Sequence, residues 1–380
     1  MTASASGLAG EQALAAHRCA MCPKLCRGAC PTLEITGNER HQPWGHAAGA
    51  VVAMSRPQGF ATSAAIENAF ACATCSACTP PCKVDGVETP DLTWAVRAAV
   101  FEAGATPEIG LQAVGQAKAG RVPVGVDPPA WGDPAPLLAQ LRALATPEAP
   151  LLLFPGCGAL GMRPGAVTAA GRVLAAAGVA FDVVAEHRCC GMPALTFGDM
   201  ASVHDMLSEV ASLVQRHAAT RLAVQSPSCA FLLGVRAPAM GLDIPAAVEP
   251  TQRTLAAAAR ALAPSSPAAA VAYHDPCYLS RHQSVVDEPR AALRSAGYEV
   301  RELRGRGATT KCSGRGGGLP LTHPEIARGY LRRLSGDVAE AGVSTVVTGC
   351  GSCAAALDGA VAGVAVHELA EALAATIEAG

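Results

Sequence analysis

The sequence predicts an α+β multidomain chain. An α-helical N-terminal module is expected to precede two repeated α/β domains with Rossmann-like parallel sheets. Two observations carry this. Eight of the sixteen cysteines fall in the first 82 residues as two tight runs among helix-length segments. The other eight recur as two matching sets between residues 157 and 353, along alternating strand-like and helix-like stretches. The expected domains are 1–105, a proline-rich connection at 106–150, and the repeats at 151–265 and 266–380.

Composition sets the background. A chain of 380 residues allows two or three domains. Half of its residues are apolar, so its core needs no disulfide staples. The start, Met1-Thr2-Ala3-Ser4-Ala5-Ser6-Gly7, has no basic stretch before an apolar one, so no secretory signal is expected. No apolar run reaches the length that spans a bilayer. The expected setting is the reducing cytoplasm, where C-x-x-C spacings signify metal or redox chemistry. The net charge of −2, with no basic cluster, argues against a nucleic-acid partner.

The first cysteine run is Cys19-x2-Cys22-x3-Cys26-x3-Cys30-Pro31, and the second is Cys72-x2-Cys75-x2-Cys78-x3-Cys82. Three closely spaced thiolates can wrap one face of a cubane iron–sulfur cluster while a distant fourth closes it. The bacterial two-cluster pattern is C-x2-C-x2-C-x3-C-P, and the last cysteine of each run serves the other cluster. The second run has this spacing, although Lys83 replaces the proline. The first keeps the proline but has one extra residue between Cys22 and Cys26. The crossover groups Cys19, Cys22 and Cys26 with Cys82, and Cys72, Cys75 and Cys78 with Cys30, as two [4Fe-4S] sites. Residues 32–71 have room for two helices, one ending near Arg56-Pro57, which makes this an α-helical ferredoxin arrangement. The competing readings are structural zinc, which would suit paired rather than triple cysteines, and a disulfide framework.

The second half repeats itself. The first copy reads Leu151-Leu152-Leu153-Phe154-Pro155-Gly156-Cys157, then Arg188-Cys189-Cys190-Gly191, then Gln225-Ser226-Pro227-Ser228-Cys229. The second reads Val271-Ala272-Tyr273-His274-Asp275-Pro276-Cys277, then Lys311-Cys312-Ser313-Gly314, then Thr348-Gly349-Cys350-Gly351-Ser352-Cys353. Cys157 to Cys277, Cys189 to Cys312 and Cys229 to Cys353 are offsets of 120, 123 and 124 residues. Such near-constant offsets mark a repeat. In each copy a first strand ends at a cysteine. Next come a helical stretch and a second strand (179–184; 298–303). After the central cysteines come a longer helix (about 201–217; about 324–341) and a third strand (222–224; 343–347). This βαβαβ alternation predicts a Rossmann-like parallel sheet with the cysteines at the carboxyl ends of its strands, where ligands gather.

The repeat resembles the cysteine-rich CCG domain, C…CCG…CxxC, of heterodisulfide reductases. The same domain occurs in the iron–sulfur subunits of glycolate oxidase, lactate-utilisation and anaerobic glycerol-3-phosphate dehydrogenase systems. The segments His274-Asp275-Pro276-Cys277-Tyr278-Leu279, Asp287-Glu288-Pro289-Arg290, Gly314-Arg315-Gly316-Gly317-Gly318 and Gly349-Cys350-Gly351-Ser352-Cys353 carry it. The resemblance implies metal ligands Cys157, Cys189, Cys190 and Cys229 in the first copy and Cys277, Cys312, Cys350 and Cys353 in the second, holding further iron–sulfur clusters or zinc. It implies an iron–sulfur electron-transfer subunit of an oxidoreductase complex. Its partner would be a flavoprotein dehydrogenase or an electron-transfer flavoprotein, with an acceptor such as a quinone. It would be cytoplasmic or peripheral on the inner membrane face. The full motif has five cysteines. Here Ser226 stands opposite Cys350, and Ser313 opposite Cys190. These serines argue against the disulfide-reducing chemistry of a thiol or heterodisulfide reductase. Zinc sites serving mainly to dock a partner are the other alternative.

Weaker signals remain. Gly156-Cys157-Gly158-Ala159-Leu160-Gly161 spells G-x-G-x-x-G after a strand, with Asp182 near the end of the next. Cys157 would occupy the phosphate approach, so a tight turn into a helix is the expected role. The glycines of 314–318 are expected to let the backbone pack closely. His187 and His274 are expected as turn or supporting residues rather than ligands. Residues 106–155, with Pro107, Pro123, Pro128, Pro129, Pro134, Pro136, Pro147 and Pro150, read as semi-extended with short helices. No Ser/His/Asp or paired-carboxylate arrangement stands out, and no catalytic residue is assigned.

Overall fold

The structure, a computed structural model, describes residues 10–56, 61–124, 130–184, 186–262 and 269–378. The N-terminal seven residues, Pro57, Pro128, Pro129 and the boundary expected at 265/266 lie outside them. The chain forms two compact units.

The first unit comprises the N-terminal 115 residues with 193–203 and 312–332. Its centre is the helix Pro43–Ser55, which packs against Glu11–Ala20 on one side and Thr89–Glu102 on another. Alanines make this close packing possible: Ala16, Ala47 and Ala50 are fully buried. The starts are coded locally. Proline opens Pro31–Thr36 and Pro43–Ser55, where a missing N–H costs nothing. The Thr62 hydroxyl accepts the Ala65 N–H at 3.2 Å and caps Ser63–Phe70. Residues 32–71 thus carry parts or all of three α-helices rather than two. The central one ends at Ser55, beside the expected stop.

The described part of the connection at 106–150 has the short helices its sequence suggests, and a strand pair that it does not. It contains the helices Glu108–Lys118 and Ala135–Arg142 and an antiparallel pair, β1 Val122–Val124 and β2 Ala130–Gly132.

The second unit holds both sheets. The first runs β4-β3-β5-β6, from β3 Leu151–Phe154, β4 Asp182–Val183, β5 Arg221–Val224 and β6 Ala247–Pro250. The other runs β8-β7-β9-β10, from β7 Ala270–His274, β8 Glu299–Glu302, β9 Thr345–Thr348 and β10 Ala365–Glu368. All these pairings are parallel and the orders correspond, as a sequence repeat requires. Central β3 is buried along its whole length, the apolar run of a strand covered on both faces.

Each copy has a fourth strand that the three-strand reading lacks. The added β6 and β10 are four-residue edge strands of mixed burial, too short and too polar to stand out as apolar runs. The two copies exchange contacts reciprocally. Helix Pro164–Ala176 of the first packs on Leu369–Glu378 of the second, and Asp287–Ser295 of the second on Thr251–Ala259 of the first. The Cys157–Met162 helix meets Gly351–Leu357, and Pro227–Phe231 meets Cys277–Gln283. This is the pattern of a pseudo-two-fold pair.

Candidate metal centres

None of the sixteen cysteines forms a disulfide. In the first unit, a cavity of about 150 Å³ is lined by Cys19, Cys22, Cys26, Cys78 and Cys82. A smaller one, about 20 Å³, is lined by Cys30, Cys72, Cys75 and Cys78. Cys82 therefore stands with the first triplet and Cys30 with the second. Cys78 lines both cavities, and its charged neighbours are Cys75, Cys72 and Cys30, which groups it with the second. Four thiols without a disulfide are then a donor set that suits a [4Fe-4S] cluster at each.

One local device recurs at four cysteines. The backbone N–H two residues on points back at the sulfur: Lys24 to Cys22, Thr74 to Cys72 and Gly314 to Cys312 at 3.3 Å, and Gly191 to Cys189 at 3.5 Å. Each donor has positive φ: 63°, 50°, 78° and 97° respectively. Left-handed turns of this kind form the N–H concavities that receive anions and iron–sulfur centres. Glycine takes this geometry without strain, which explains the last letter of C-C-G and its counterpart C-S-G.

Burial pushes the Cys19 and Cys30 thiols up to about 12 and raises Cys72 and Cys78, with neighbouring thiols adding to the rise. Crowded thiols resist ionising together, so such sites favour a cation, and binding one releases protons.

The second cavity has further support that sequence reasoning missed. Arg97, fully buried, donates to the carbonyls of Ala69, Cys72 and Thr196 at 2.8, 2.9 and 3.1 Å. An arginine within the apolar stretch Trp94-Ala95-Val96-Arg97-Ala98 was its one visible signal. Tyr330 also lines this cavity, and its hydroxyl shares a 2.7 Å hydrogen bond with Thr32. The 314–318 glycines do pack closely. A Cβ on Gly317 would lie 2.1 Å from the Cys72 carbonyl oxygen, and one on Gly318 would lie 2.9 Å from the Phe197 ring.

In the second unit, Cys157, Cys189, Cys190 and Cys229 converge at the carboxyl ends of their strands. The Cys190 and Cys229 sulfurs are 2.9 Å apart. Hydrogen bonds from Cys189 and Cys229 hold Cys157 well below the ordinary thiol value, and the same contacts raise Cys189 and Cys229. Among the described residues, no three Cys, His, Asp or Glu side chains are arranged to hold a single metal ion. Here the sulfurs contact one another instead. The G-x-G-x-x-G glycines serve packing: a Cβ on Gly156 would lie 2.8 Å from Ser226 Cβ and 3.0 Å from Cys229 Sγ. A Cβ on Gly161 would lie 2.0 Å from the Pro123 carbonyl oxygen. Asp182 accepts a 2.8 Å hydrogen bond from His217 Nδ1. His187 is buried, and its Nε2 has no partner among the described residues.

The second set is divided between the units. Cys312 belongs to the first, with Ser313 buried beside it; Cys277, Cys350 and Cys353 belong to the second. Cys277 opens a helix after β7, and Cys350 precedes the helix that contains Cys353, after β9. His274 is structural. Its ring nitrogens bond Thr348 Oγ1 and the Lys311 carbonyl, each at 3.0 Å, so neither is free to bind a metal.

Residues 15–86 match the 4Fe-4S dicluster domain, and residues 151–234 and 271–358 each match the cysteine-rich (CCG) domain. The chain thus belongs to the iron–sulfur proteins that join a dicluster domain to paired cysteine-rich domains. It is similar to a probable membrane-anchored ferredoxin of Chromohalobacter salexigens, 31% identical over 331 residues, covering 82% of this chain and 48% of that protein. It is 29% identical over 201 residues to one subunit of the CoM/CoB fumarate reductase of Methanothermobacter marburgensis, covering 53% of this chain and 40% of that one. With one subunit of the dihydromethanophenazine:CoB–CoM heterodisulfide reductase of Methanosarcina barkeri it shares 25% identity over 302 residues, 76% and 71% of the two chains. The chain spans less than half the length of the first two relatives. Among the described residues, no helix is long and apolar enough to cross a membrane.

Proposed function

We propose that this chain is an electron-transfer subunit carrying electrons between a flavoprotein dehydrogenase, or an electron-transfer flavoprotein, and an acceptor such as a quinone. One relative is an EtfAB:quinone oxidoreductase, 30% identical over 149 residues that make up 21% of that protein. Cys19, Cys22, Cys26 and Cys82 would hold one [4Fe-4S] cluster, and Cys30, Cys72, Cys75 and Cys78 the other. Bound there, the clusters supply one-electron transfer. The protein's part is to hold the thiolates, aim N–H groups at the sulfurs and keep water from the buried cage. The two cysteine-rich sets, Cys157, Cys189, Cys190 and Cys229 and Cys277, Cys312, Cys350 and Cys353, would hold further iron–sulfur clusters or zinc. The domain division 1–105, 106–150, 151–265 and 266–380 and a cytoplasmic or peripheral membrane location belong to the same reading.

The observation that supports it is that eight thiols line two cavities, with Cys82 beside the first triplet, Cys30 beside the second and Cys78 on both walls. The test is metal and sulfide analysis of the anaerobically purified full chain. About eight irons and eight sulfides are expected from two clusters, and about twelve or more if the cysteine-rich sets hold clusters too. A colourless, zinc-loaded protein would refute the electron-transfer reading.

A further inference from the structure

The two cages sit in different surroundings. The wall of the Cys19 cage includes exposed Pro23, Leu25 and Lys83, and Met21 beside it is 86% exposed. The wall of the Cys72 cage has no exposed residue: Thr32, His46, Thr74 and Tyr330 are each at most 3% exposed. Adding an electron to a thiolate cage adds negative charge, and burial makes that harder. By burial alone the inner cage would be the harder one to reduce.

Arg97 opposes this. Its guanidinium keeps its charge at any pH proteins tolerate, and it is anchored on the Cys72 carbonyl at 2.9 Å. The Thr74 N–H donates to Cys72 Sγ. The Thr89 hydroxyl lies within hydrogen-bonding reach of Cys78, while the Thr93 hydroxyl, close to Cys72, donates to the Thr89 carbonyl at 3.0 Å. Hydrogen bonds to the sulfurs and net charge are what set the potential of such a centre. The inner cage also abuts the segment that bears Cys312. A Cβ on Gly314 would lie 2.7 Å from Tyr330 Cβ, and Gly317 lies on the Cys72 carbonyl.

We propose that Arg97 sets the reduction potential of the Cys30, Cys72, Cys75 and Cys78 cage, offsetting its burial so that it can take an electron from the surface cage. With clusters bound, one electron would pass from the surface cage to the inner one, and a reduced flavin of the proposed partner would supply it. This rests on the reading that both cages hold [4Fe-4S] clusters. It makes Arg97 a positioning and tuning residue, and it makes the inner cage the one beside the segment that carries Cys312.

The test is a dithionite titration of the full chain, followed by low-temperature paramagnetic resonance, with iron counted in each variant. In Arg97→Gln, one of the two cluster midpoints should fall by at least tenfold in its one-electron equilibrium, about 59 mV. It should be the signal that Cys72→Ser alters. Arg97→Lys, which keeps the charge, should recover most of the shift. Equal movement of both signals, or a fall in Arg97→Lys as large as in Arg97→Gln, overturns the proposal. If Arg97→Gln loses iron, Arg97→Met, which keeps the length without the charge, decides: it should lower the same midpoint by tenfold or more, whereas an unchanged midpoint overturns the proposal. Wild-type protein without iron in both cages would overturn the electron-transfer reading itself, a separate outcome from two clusters that ignore Arg97.

Discussion

Arg290 and Asp275 form a fully buried two-pronged ion pair, with Nη1 to Oδ1 at 2.8 Å and Nη2 to Oδ2 at 2.7 Å. Asp275 also accepts the Gly307 N–H at 2.9 Å, and Glu302 holds the same guanidinium from its outer side. The pair pins the turn before Cys277 to the helix Asp287–Ser295. Asp275→Ala would leave a buried guanidinium with one partly exposed carboxylate. Such a loss typically costs about 3–5 kcal/mol, and Glu302 should keep the cost at the lower end. Denaturant unfolding measures it; a loss under about 1 kcal/mol would show that the pair is dispensable.

Glu368 is buried in β10, and burial raises its carboxyl to about 8. Its folded value therefore lies above the unfolded one near 4.3. Between these values the native chain binds the proton and the unfolded chain does not, so stability declines as pH rises from about 5 to 8. One such group contributes a slope of up to about 1.4 kcal/mol per pH unit. Glu368→Gln should gain stability relative to wild type across that window. Parallel stability curves from pH 5 to pH 8 would contradict this.

Gly317 has a φ of +62°, and its missing Cβ makes room for the Cys72 carbonyl. Gly317→Ala combines left-handed strain of about 1–2 kcal/mol with a backbone clash. A total loss above about 2 kcal/mol is expected. Iron should leave the inner cage before the surface cage. An unchanged melting temperature and iron count would show that the loop yields freely.

Ser226 lies against Gly156 in the first cysteine-rich site, at the place where the full motif has a cysteine. A neutral hydroxyl adds little beside four thiols. Ser226→Ala should keep the metal content of that site, and Cys229→Ala should lose it. Elemental analysis of both variants is the check, and equal loss in both would make Ser226 a ligand.

Much of the fold was legible because the relevant patterns are local. The long helix expected near 201–217 is Met200–Arg216, and that near 324–341 is Pro324–Glu340. The strand expected at 179–184 shrinks to Asp182–Val183, because only two residues pair with β3. The edge strands β6 and β10 were not legible: they are strands because β5 and β9 offer them a partner. The N–H devices at Cys22 and Cys72 were equally hidden. Their donors are Lys24 and Thr74, residue types that do not advertise a positive φ.

Spacing, near-constant offsets and apolar runs already mark a cysteine-run segment and two repeated α/β copies along the chain. Those signals lie within tens of residues and survive without knowledge of packing. Only the tertiary structure decided that Arg97 reaches the carbonyls of Ala69, Cys72 and Thr196. It also decided that Gly317 lies on the Cys72 carbonyl, and that each repeat lends its last helix to the other. These contacts join residues up to more than two hundred positions apart. A buried donor takes whichever acceptor the packed chain brings to it, and no local pattern specifies that acceptor.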